Sequence, residues 1–275
     1  MKSYIPILTV AGSDSSGGAG IQADIKTISA IGCYAMSAIT AITAQNTTGV
    51  RSVAGIAPEM VTDQIEMICS DIPPMAAKTG MLYDKANVEA TATCLEKFKV
   101  PNLVVDPVMV STSGSLLIEP DAVRTMIDRI FPLATLVTPN RNEAVELTGQ
   151  TDPMAQARAL TAMGCRNVLL KGGDSDRTDM KIDYLYLEGE EDLITLTADA
   201  VNTKNTHGTG CTLSAAIACY LALGFDITDA TMRGKLYVTR ALQAGARVVT
   251  GHGHGPVNHL FGPRHTKYNK TGFKS

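Results

Sequence analysis

The sequence predicts an α/β fold with a mainly parallel central sheet and helices on both faces of it, in three layers. Short apolar runs alternate along the chain with segments in which apolar residues recur at helical spacing, and this alternation is typical of βαβ units. Runs such as Leu103-Val-Val are continuous, which indicates strands that are covered on both sides. The chain has 275 residues, of which 45% are hydrophobic, and shows no linker or internal repeat. We therefore expect one large domain.

The first βα unit combines a strand, a glycine-rich turn and a helix. The strand is predicted at 5–11, the turn at 12–20 and the helix at 21–31, ending at Gly32. Glycines in the turn allow the backbone to approach a ligand closely. Asp24 lies one turn into the helix. Its carboxylate either points back at the turn or is a solvated acid that the helix dipole favours.

The remaining elements follow from the same criteria. Strands are predicted at 35–44, 50–56, 75–79, 103–109, 134–138 and 167–170, an antiparallel hairpin at 184–187 and 193–196, and helices at 58–69, 84–97, 119–131, 153–163, 213–223 and 228–250. Pro58 is expected to open one helix and Asp84 to cap another. Asn140 and Glu143 have the spacing of an N-cap residue and its reciprocal partner, which is the structural role we prefer for Asn140.

Polar residues follow several predicted strands at their carboxyl ends, where open α/β sheets bind ligands. Gln45 stands after one strand, Asp106 comes directly before Pro107 in another, and Lys171 opens the segment Lys171-Gly-Gly173 after a third. A carboxylate held at such a strand end suits a hydrated metal ion. The sequence therefore predicts that these side chains meet at one edge of the sheet.

The segment 202–214, Asn-Thr-Lys-Asn-Thr-His-Gly-Thr-Gly-Cys-Thr-Leu-Ser, is the strongest candidate for an anion site. Gly208 and Gly210 form a turn from which a helix begins, so its first N–H groups are left free and carry partial positive charge. Cys211 lies in that first turn, where the helix field is expected to lower the pKa of its thiol. The alternative is a common turn with a small core cysteine, since the segment is neither a Walker A motif nor a Gly-x-Gly-x-x-Gly fingerprint.

Charge excludes a general nucleic-acid binder, because the net charge is −3 and the pI is about 6.0. Charge is nevertheless uneven, since eight basic residues and no acidic residue follow Asp229. We expect a helix face near an anionic ligand and a solvated basic tail at 261–275, with a nucleic-acid arm as the alternative.

Cysteine and histidine usage also excludes classes of protein. The six cysteines include no Cys-x-x-Cys pair, which predicts neither a disulfide framework nor a zinc ribbon and favours a reduced cytoplasmic chain. No signal peptide or membrane-spanning run is predicted. His252, His254 and His259 lie in a glycine-rich segment without rigid metal-ligand spacing, so we expect solvent-exposed loop histidines.

Taken together, the motifs resemble a known family. They are Ala-Gly-Ser-Asp-Ser-Ser-Gly-Gly-Ala-Gly-Ile-Gln-Ala-Asp24, Lys78-Thr-Gly-Met81, Val-Asp-Pro-Val-Met109, Thr-Pro-Asn-x-x-Glu143, Lys171-Gly-Gly173 and Asn-Thr-Lys-Asn-Thr-His-Gly-Thr-Gly-Cys211. In this order they resemble the hydroxymethylpyrimidine/phosphomethylpyrimidine kinases of thiamin biosynthesis, which belong to the ribokinase-like superfamily. The resemblance runs from about residue 5 to residue 257.

The resemblance implies an ATP-dependent kinase domain at 1–260 that phosphorylates the hydroxymethyl group of an aminopyrimidine and then the resulting monophosphate. It places Cys211 as the catalytic base and the backbone of Gly208, Thr209 and Gly210 as the anion hole. For Mg²⁺ it implies Asp106 and Glu143, which hold the ion through water. The same two residues, with Lys171 and Asn140, are implied at the ATP phosphates. The pyrimidine pocket implied by the resemblance consists of Gly12, Asp24, Gln45, Met81 and Val108.

Two alternatives remain at this point. A pyridoxal or pyridoxine kinase would share the Gly-Thr-Gly-Cys block and a similar hydroxymethyl heteroaromatic substrate. A ligand-binding protein that kept the fold without catalysis is disfavoured by the intact set Asp106, Lys171 and Cys211. An exposed sheet edge makes a homodimer the expected assembly, and neither nucleic acid nor a membrane is expected as a partner.

Overall fold

The computed structural model describes residues 2–109, 119–172 and 179–269. Its strands are β1 (Ser3–Tyr4), β2 (Pro6–Asp14), β3 (Tyr34–Asn46), β4 (Gly49–Gly55), β5 (Ala76–Thr79), β6 (Leu103–Val105), β7 (Leu136–Val137), β8 (Val168–Leu170), β9 (Met180–Tyr186), β10 (Ile194–Asp199) and β11 (Tyr268–Asn269). Its helices are α1 (Gly20–Ile31), α2 (Pro58–Asp71), α3 (Lys85–Lys97), α4 (Pro120–Arg129), α5 (Arg141–Thr148), α6 (Pro153–Ala162), α7 (Thr209–Ala222) and α8 (Ile227–Gly245).

The central sheet contains nine strands in the order β10-β9-β8-β7-β6-β5-β2-β3-β4. The pairs from β8 to β3 are parallel, whereas β4 at one edge and the β9–β10 hairpin at the other are antiparallel. The parallel strands therefore point their carboxyl ends to one edge, as the sequence predicts.

Neighbouring residues of the parallel strands face opposite layers. Ile7 packs with α1, α7 and α8, and Leu8 with the layer formed by α2 to α6. The same alternation occurs at Val104 and Val105, and all these side chains are buried. Each strand is covered on both faces, which explains its continuous apolar sequence.

Most predicted elements are confirmed within a few residues, including the cap of α3 by Asp84 and the capping box at the start of α5. The prediction that the last helix continues to residue 250 is wrong, because α8 ends at Gly245. A Cβ atom at position 245 would lie 2.9 Å from the amide nitrogen of Asn258. The returning chain therefore packs directly against the end of this helix.

The histidine prediction is confirmed for two residues and wrong for the third. His252 and His254 are exposed, but His259 is buried, with 4% of its surface exposed. The hydroxyl group of Tyr237 donates a hydrogen bond to the carbonyl oxygen of His259 and holds the chain against α8. No cluster of three or more potential metal-ligating side chains occurs in the described residues.

The segment after residue 260 returns to the start of the chain. The amides of Arg264 and Lys267 donate to the carbonyl oxygens of Ala30 and Gly32 at the end of α1, and β11 pairs with β1 in a separate two-stranded sheet. Side chains at 262–266 remain exposed. The predicted basic tail is thus held by its backbone through residue 269, and residues 270–275 lie outside the described part. A search of the described helices finds none with the length and apolar character of a membrane span.

Candidate active site

A cavity of about 800 Å³ lies at the carboxyl edge of the sheet. It is lined by the carboxyl ends of β2, β3 and β5, by residues that follow β6, β7 and β8, and by the first turn of α7. Parallel strands bring these segments together although they are far apart in the chain. Residues of β9, β10 and α8 also contribute to the lining. Every candidate residue from the sequence lines this cavity except Asp24, while Gly173 lies outside the described residues.

The turn at 208–211 presents free backbone donors at one side of the cavity. Gly208 has φ of 80° and precedes α7 as its N-cap residue. A Cβ atom there would overlap the carbonyl oxygen of Gly18, so only glycine fits without rearrangement. Among the described residues, no backbone acceptor pairs with the amides of Gly210 and Cys211. The turn can therefore bind an anion, as predicted.

The predicted effect on the Cys211 thiol is wrong in direction. Burial raises the pKa of Cys211 to about 11. The Lys78 ammonium lowers this pKa and the Asp24 carboxylate raises it, but neither outweighs desolvation. The helix start therefore does not by itself produce a thiolate. The group that most lowers the pKa of the thiol is the Lys78 ammonium, which the sequence analysis did not connect with Cys211.

Asp24 lies beneath the cavity rather than on its surface. It is fully buried and its two carboxylate oxygens are 3.1 and 2.9 Å from Nζ of Lys78, while the Thr9 hydroxyl donates to Oδ2 at 2.6 Å. Lys78 is equally buried but belongs to the cavity lining. Burial alone would lower the pKa of Lys78, yet the Asp24 carboxylate reverses this and raises it. Asp24 therefore forms an ion pair with Lys78 beneath the cavity and does not make the direct substrate contact that was expected of it.

A second buried cluster lies next to the turn at 208–211. Nζ of Lys171 is 2.7 Å from Oδ1 of Asp106, and the Ser214 hydroxyl is 3.3 Å from Oδ2 of the same carboxylate. A Cβ atom at Gly210 would be 3.4 Å from both Asp106 and Lys171. The anion-binding turn, a cation and a carboxylate thus occupy one end of the cavity.

Glu143 and Asn140 complete this cluster through the capping box. The amide of Asn140 donates to Glu143 at 2.8 Å, and Oδ1 of Asn140 accepts from the amide of Glu143 at 2.9 Å. The structural role preferred for Asn140 is confirmed. Burial raises the pKa of Glu143 to about 7, against the opposing effect of Lys171. A divalent cation nearby would favour the ionised form.

The cavity lining also includes apolar and polar side chains outside these two clusters. Met81 is buried, and a Cβ atom at Gly12 would overlap its terminal methyl group. Val108 lies on the same lining. Gln45 also belongs to the lining, and its side chain contacts His207 at 3.4 Å and Thr43 at 3.2 Å. A flat ring with polar edge groups suits such a pocket.

Two pairs of bonded side chains in the lining were missed by the sequence analysis. His207 Nε2 is 2.8 Å from Oδ2 of Asp14, and Nζ of Lys235 is 2.7 Å from Oδ2 of Asp183. Burial would raise the pKa of Asp14, but hydrogen bonds from His207 and Ser16 lower it to about 2. Lys235 had been assigned only to a basic helix face. Asp14 and His207 belong to two of the motifs quoted above, whereas Asp183 and Lys235 belong to none. No local pattern connects the two members of either pair.

The cavity at the edge of this open α/β sheet brings free amide donors and cations together around one thiol, beside a pocket for a flat ring. This arrangement suits the transfer of a phosphoryl group to a small molecule. The fold and the site therefore define a small-molecule kinase.

Comparison with known proteins identifies the family. The family model for phosphomethylpyrimidine kinase matches residues 14–258. The hydroxymethylpyrimidine/phosphomethylpyrimidine kinases of Rhizobium meliloti (strain 1021) and Escherichia coli (strain K12) are 45% and 44% identical, over 92% and 93% of this chain and 96% and 97% of theirs. The chain spans 52% of the length of the thiamine biosynthesis bifunctional protein ThiED of Geobacter sulfurreducens, at 45% identity over 92% of this chain. The chain belongs to the phosphomethylpyrimidine kinase family.

Solved structures agree on the fold. A phosphomethylpyrimidine kinase from Clostridium difficile 630 has a TM-score of 0.75 and 44% identity, covering 86% of this chain and 99% of that one. A Bacillus subtilis pyridoxal kinase in complex with ADP has a TM-score of 0.85 and 34% identity, covering 94% and 98%. The chain has the ribokinase-like fold, and membership of this kinase family implies the use of ATP.

Proposed function

We propose that this protein uses ATP to phosphorylate 4-amino-5-hydroxymethyl-2-methylpyrimidine, and then phosphorylates the monophosphate to the diphosphate, in thiamin biosynthesis. The observation that carries the proposal is one cavity lined both by the side-chain amide of Gln45 and by the thiol of Cys211 beside free amide donors. Gln45 can pair with the exocyclic amine and the adjacent ring nitrogen, while Met81 and Val108 contact the ring. The hydroxymethyl group then reaches Cys211.

Cys211 acts in this proposal, in its thiolate form, as the base for the substrate hydroxyl. Burial raises the pKa of the thiol to about 11, and the Lys78 ammonium is the main group that favours the thiolate against it. The amides of Gly208 and Gly210 stabilise the negative charge that develops on the transferred phosphoryl group. The Thr209 amide, which was predicted to share this role, donates to the carbonyl oxygen of Thr206 instead. Lys171 binds the phosphates of ATP near Asn140. Because phosphoryl transfer needs mainly positioning and charge neutralisation, these groups supply what the reaction requires.

Asp106 and Glu143 are proposed to hold Mg²⁺ through water. The donor set fits this arrangement: Asp106 already binds Lys171 and Ser214, and Glu143 accepts from the backbone of Asn140. Hydrated Mg²⁺ typically takes one or two carboxylates and the substrate phosphates. The bound ion would neutralise phosphate charge during transfer.

A pyridoxal or pyridoxine kinase is the second candidate. It is favoured by the high structural similarity to pyridoxal kinases, with a TM-score of 0.84 for the Staphylococcus aureus enzyme in complex with AMP-PCP and pyridoxal. Met81 would contact either ring. The side-chain amide of Gln45 distinguishes the two substrates. The aminopyrimidine offers it an amine and a ring nitrogen, whereas pyridoxine carries a phenolic oxygen in their place.

The deciding experiment supplies ATP, Mg²⁺ and each heterocycle, and follows the products by mass. A diphosphate from the aminopyrimidine is the expected product. Monophosphate from pyridoxine alone would overturn the proposal. A Gln45→Leu variant should lose aminopyrimidine turnover far more than any pyridoxine turnover, because the paired polar groups contribute about 1–3 kcal/mol.

We further propose one catalytic unit at 1–260 with the tail at 261–275 outside it, a homodimer, and a cytoplasmic location. Both faces of the edge strand β4 are largely exposed, and Ile42 on the adjacent strand is 52% exposed, so a second copy could cover this edge. The described cysteines are all free, which fits a reducing compartment. Light scattering tests the dimer, and Ile42→Glu should yield monomers.

A further inference from the structure

The thiol of Cys211 lies where two helices begin. Cys211 itself is in the first turn of α7, and the amide of Gly20, the first residue of α1, donates a hydrogen bond to it. Burial raises the pKa of the thiol, and this hydrogen bond opposes the effect because an amide donor favours the charged thiolate. The start of α1 therefore supports the form of the thiol that can accept a proton.

The glycine-rich turn before α1 and the anion-binding turn at 208–211 are packed closely together. A Cβ atom at Gly18 would overlap the His207 ring, just as one at Gly208 would overlap Gly18. Gly20 has φ of 55°, and a Cβ atom there would overlap the carbonyl oxygen of Gly12. Glycine permits this close approach but supplies no side chain that could hold it. The distance between the turns therefore depends on bonds from other residues.

Asp14 supplies such a bond. Its Oδ2 atom accepts from the amides of Gly18 and Ala19 at 3.0 and 2.8 Å and lies 2.8 Å from Nε2 of His207. Burial would raise the pKa of Asp14, but hydrogen bonds from His207 and Ser16 lower it to about 2. The carboxylate is therefore ionised and can only accept hydrogen bonds. His207 carries a proton on Nε2 and donates it to Asp14.

The carboxylate of Asp14 thus joins the residues that precede the two helix starts. Ala19 is the N-cap residue of α1, directly before Gly20. His207 directly precedes Gly208, the N-cap residue of α7. Three residues of the glycine-rich turn also donate to the carboxylate, whereas the bond from His207 crosses to the other turn. Loss of this crossing bond would let the two helix starts move apart.

We propose that Asp14 is a positioning residue for catalysis: it holds His207 against the glycine-rich turn and thereby keeps the Gly20 amide at the sulfur of Cys211. This inference rests on the proposed function, in which Cys211 is the base. Asp14 acts on the reaction through Cys211, so its effect is indirect. A merely structural role would change stability alone, whereas this role changes the reactivity of the thiol and kcat.

A matched set of variants tests this inference. His207→Met cannot donate to Asp14, whereas His207→Gln retains a side-chain N–H. His207→Met should slow alkylation of Cys211 by iodoacetamide at pH 8 roughly 5-fold, because the thiolate loses a hydrogen-bond donor. His207→Gln should restore most of the rate. Ser16→Ala is the control, since it removes a donor to the other oxygen of Asp14 and should leave the rate unchanged. Equal rates in His207→Met and His207→Gln would overturn the proposal.

Turnover provides a second readout. With the aminopyrimidine as substrate, His207→Met should lower kcat by a similar factor and leave the KM for ATP unchanged, because the residues proposed to bind ATP are intact. A change confined to the KM for ATP would contradict the proposal.

Hydrogen exchange decides the question if His207→Met does not fold. The Gly20 amide should exchange faster in Asp14→Ala than in the wild type, and also faster in Cys211→Ala, which lacks the acceptor. Exchange at the wild-type rate in either variant would overturn the proposal. Alkylation and hydrogen exchange need no turnover, so a failure of the proposed function remains distinguishable from a failure of this inference.

Discussion

Cys211 experiences two opposite charges from one buried ion pair. Burial raises the pKa of its thiol, the Lys78 ammonium lowers it and the Asp24 carboxylate raises it. Both partners of the pair are fully buried and bonded to each other. If the pair only stabilised the fold, removing either partner would change the reactivity of the thiol in the same direction. If the pair controls the thiol electrostatically, removing Lys78 raises the thiol pKa and removing Asp24 lowers it.

Replacing each partner should therefore shift Cys211 reactivity in opposite directions. Lys78→Met should slow alkylation by iodoacetamide at pH 8 by roughly 10-fold, because about one pKa unit of thiolate stabilisation is lost. Asp24→Asn should accelerate it. Mass spectrometry of the labelled peptide measures both rates, with Cys211→Ala as the background control, since the other five cysteines are buried. Slower alkylation in both variants would reject electrostatic control.

Removal of the thiol itself tests its role as base. Cys211→Ala should lower kcat by roughly 100-fold or more if general base catalysis operates. The KM for ATP should change little, because the backbone donors at 208–211 remain. Unchanged turnover would reduce Cys211 to a packing residue.

Variants of Asp106 and Lys171 should separate the dependence of activity on Mg²⁺ from its dependence on ATP. Asp106→Asn is expected to require more Mg²⁺ for half-maximal activity, since one negative charge near the proposed ion is lost. Lys171→Ala should raise the KM for ATP instead. Titrations of Mg²⁺ and ATP measure both effects, and wild-type saturation curves for the two variants would refute the assignment.

At the scale of elements, α7 depends on a glycine at each end. Gly208 at its start has φ of 80° and Gly224 just after its end has φ of 88°. A Cβ atom at position 208 would overlap Gly18, whereas none of the described atoms lies within 4 Å of one at position 224. The two glycines therefore share the same backbone requirement but differ in their surroundings.

This difference makes a matched pair of variants. Gly224→Ala should destabilise the protein by about 1 kcal/mol through backbone strain alone and leave turnover near the wild-type value. Gly208→Ala should destabilise it further and lower turnover, because the turn must move away from Gly18. Thermal unfolding and initial rates measure the two effects. Similar turnover in both variants would show that the position of the turn is not critical.

At the scale of the whole molecule, His259 links stability to pH. It is buried, and its Nε2 has no partner among the described residues. Burial lowers the pKa of His259 to about 4. The unfolded chain, with its ordinary pKa, binds the proton more readily than the folded one. Stability from this residue is therefore complete above about pH 6.5 and falls as the pH drops toward 4.

His259 should account for a loss on the order of 2 kcal/mol between pH 7 and pH 5. Urea unfolding of the wild type and of His259→Gln at the two pH values measures this contribution, and the variant should lose about 2 kcal/mol less than the wild type. The two proteins are compared at each pH because Glu143, whose pKa is raised to about 7, contributes in the opposite direction in both. His254→Gln is the control, because His254 is exposed. Asp14 does not contribute in this range, since its stabilisation is lost only as the pH falls from about 4 toward its pKa of about 2. An unaltered pH dependence in His259→Gln would exclude this residue as the cause.

Local sequence determined the elements of this protein and the edge at which its site lies. Strands covered on both faces require continuous apolar runs, helices require caps and spacing, and parallel strands bring their carboxyl ends together, so Gln45, Asp106, Lys171 and Cys211 could all be assigned to one cavity. The capping role of Asn140 is local for the same reason. These predictions depend on residues a few positions apart, where backbone geometry leaves few choices.

Only the tertiary structure decided which charges meet. Asp24 and Lys78 are 54 positions apart, and Asp14 and His207 are 193 apart. No periodicity relates such residues, and their pairing depends on how strands and loops pack. The same applies to the thiol of Cys211, whose pKa follows desolvation rather than its place in a helix. Sequence thus determines where the site is built, while burial and long-range pairing set the protonation and orientation of its groups, because electrostatic energies depend on distance and solvent exposure in three dimensions.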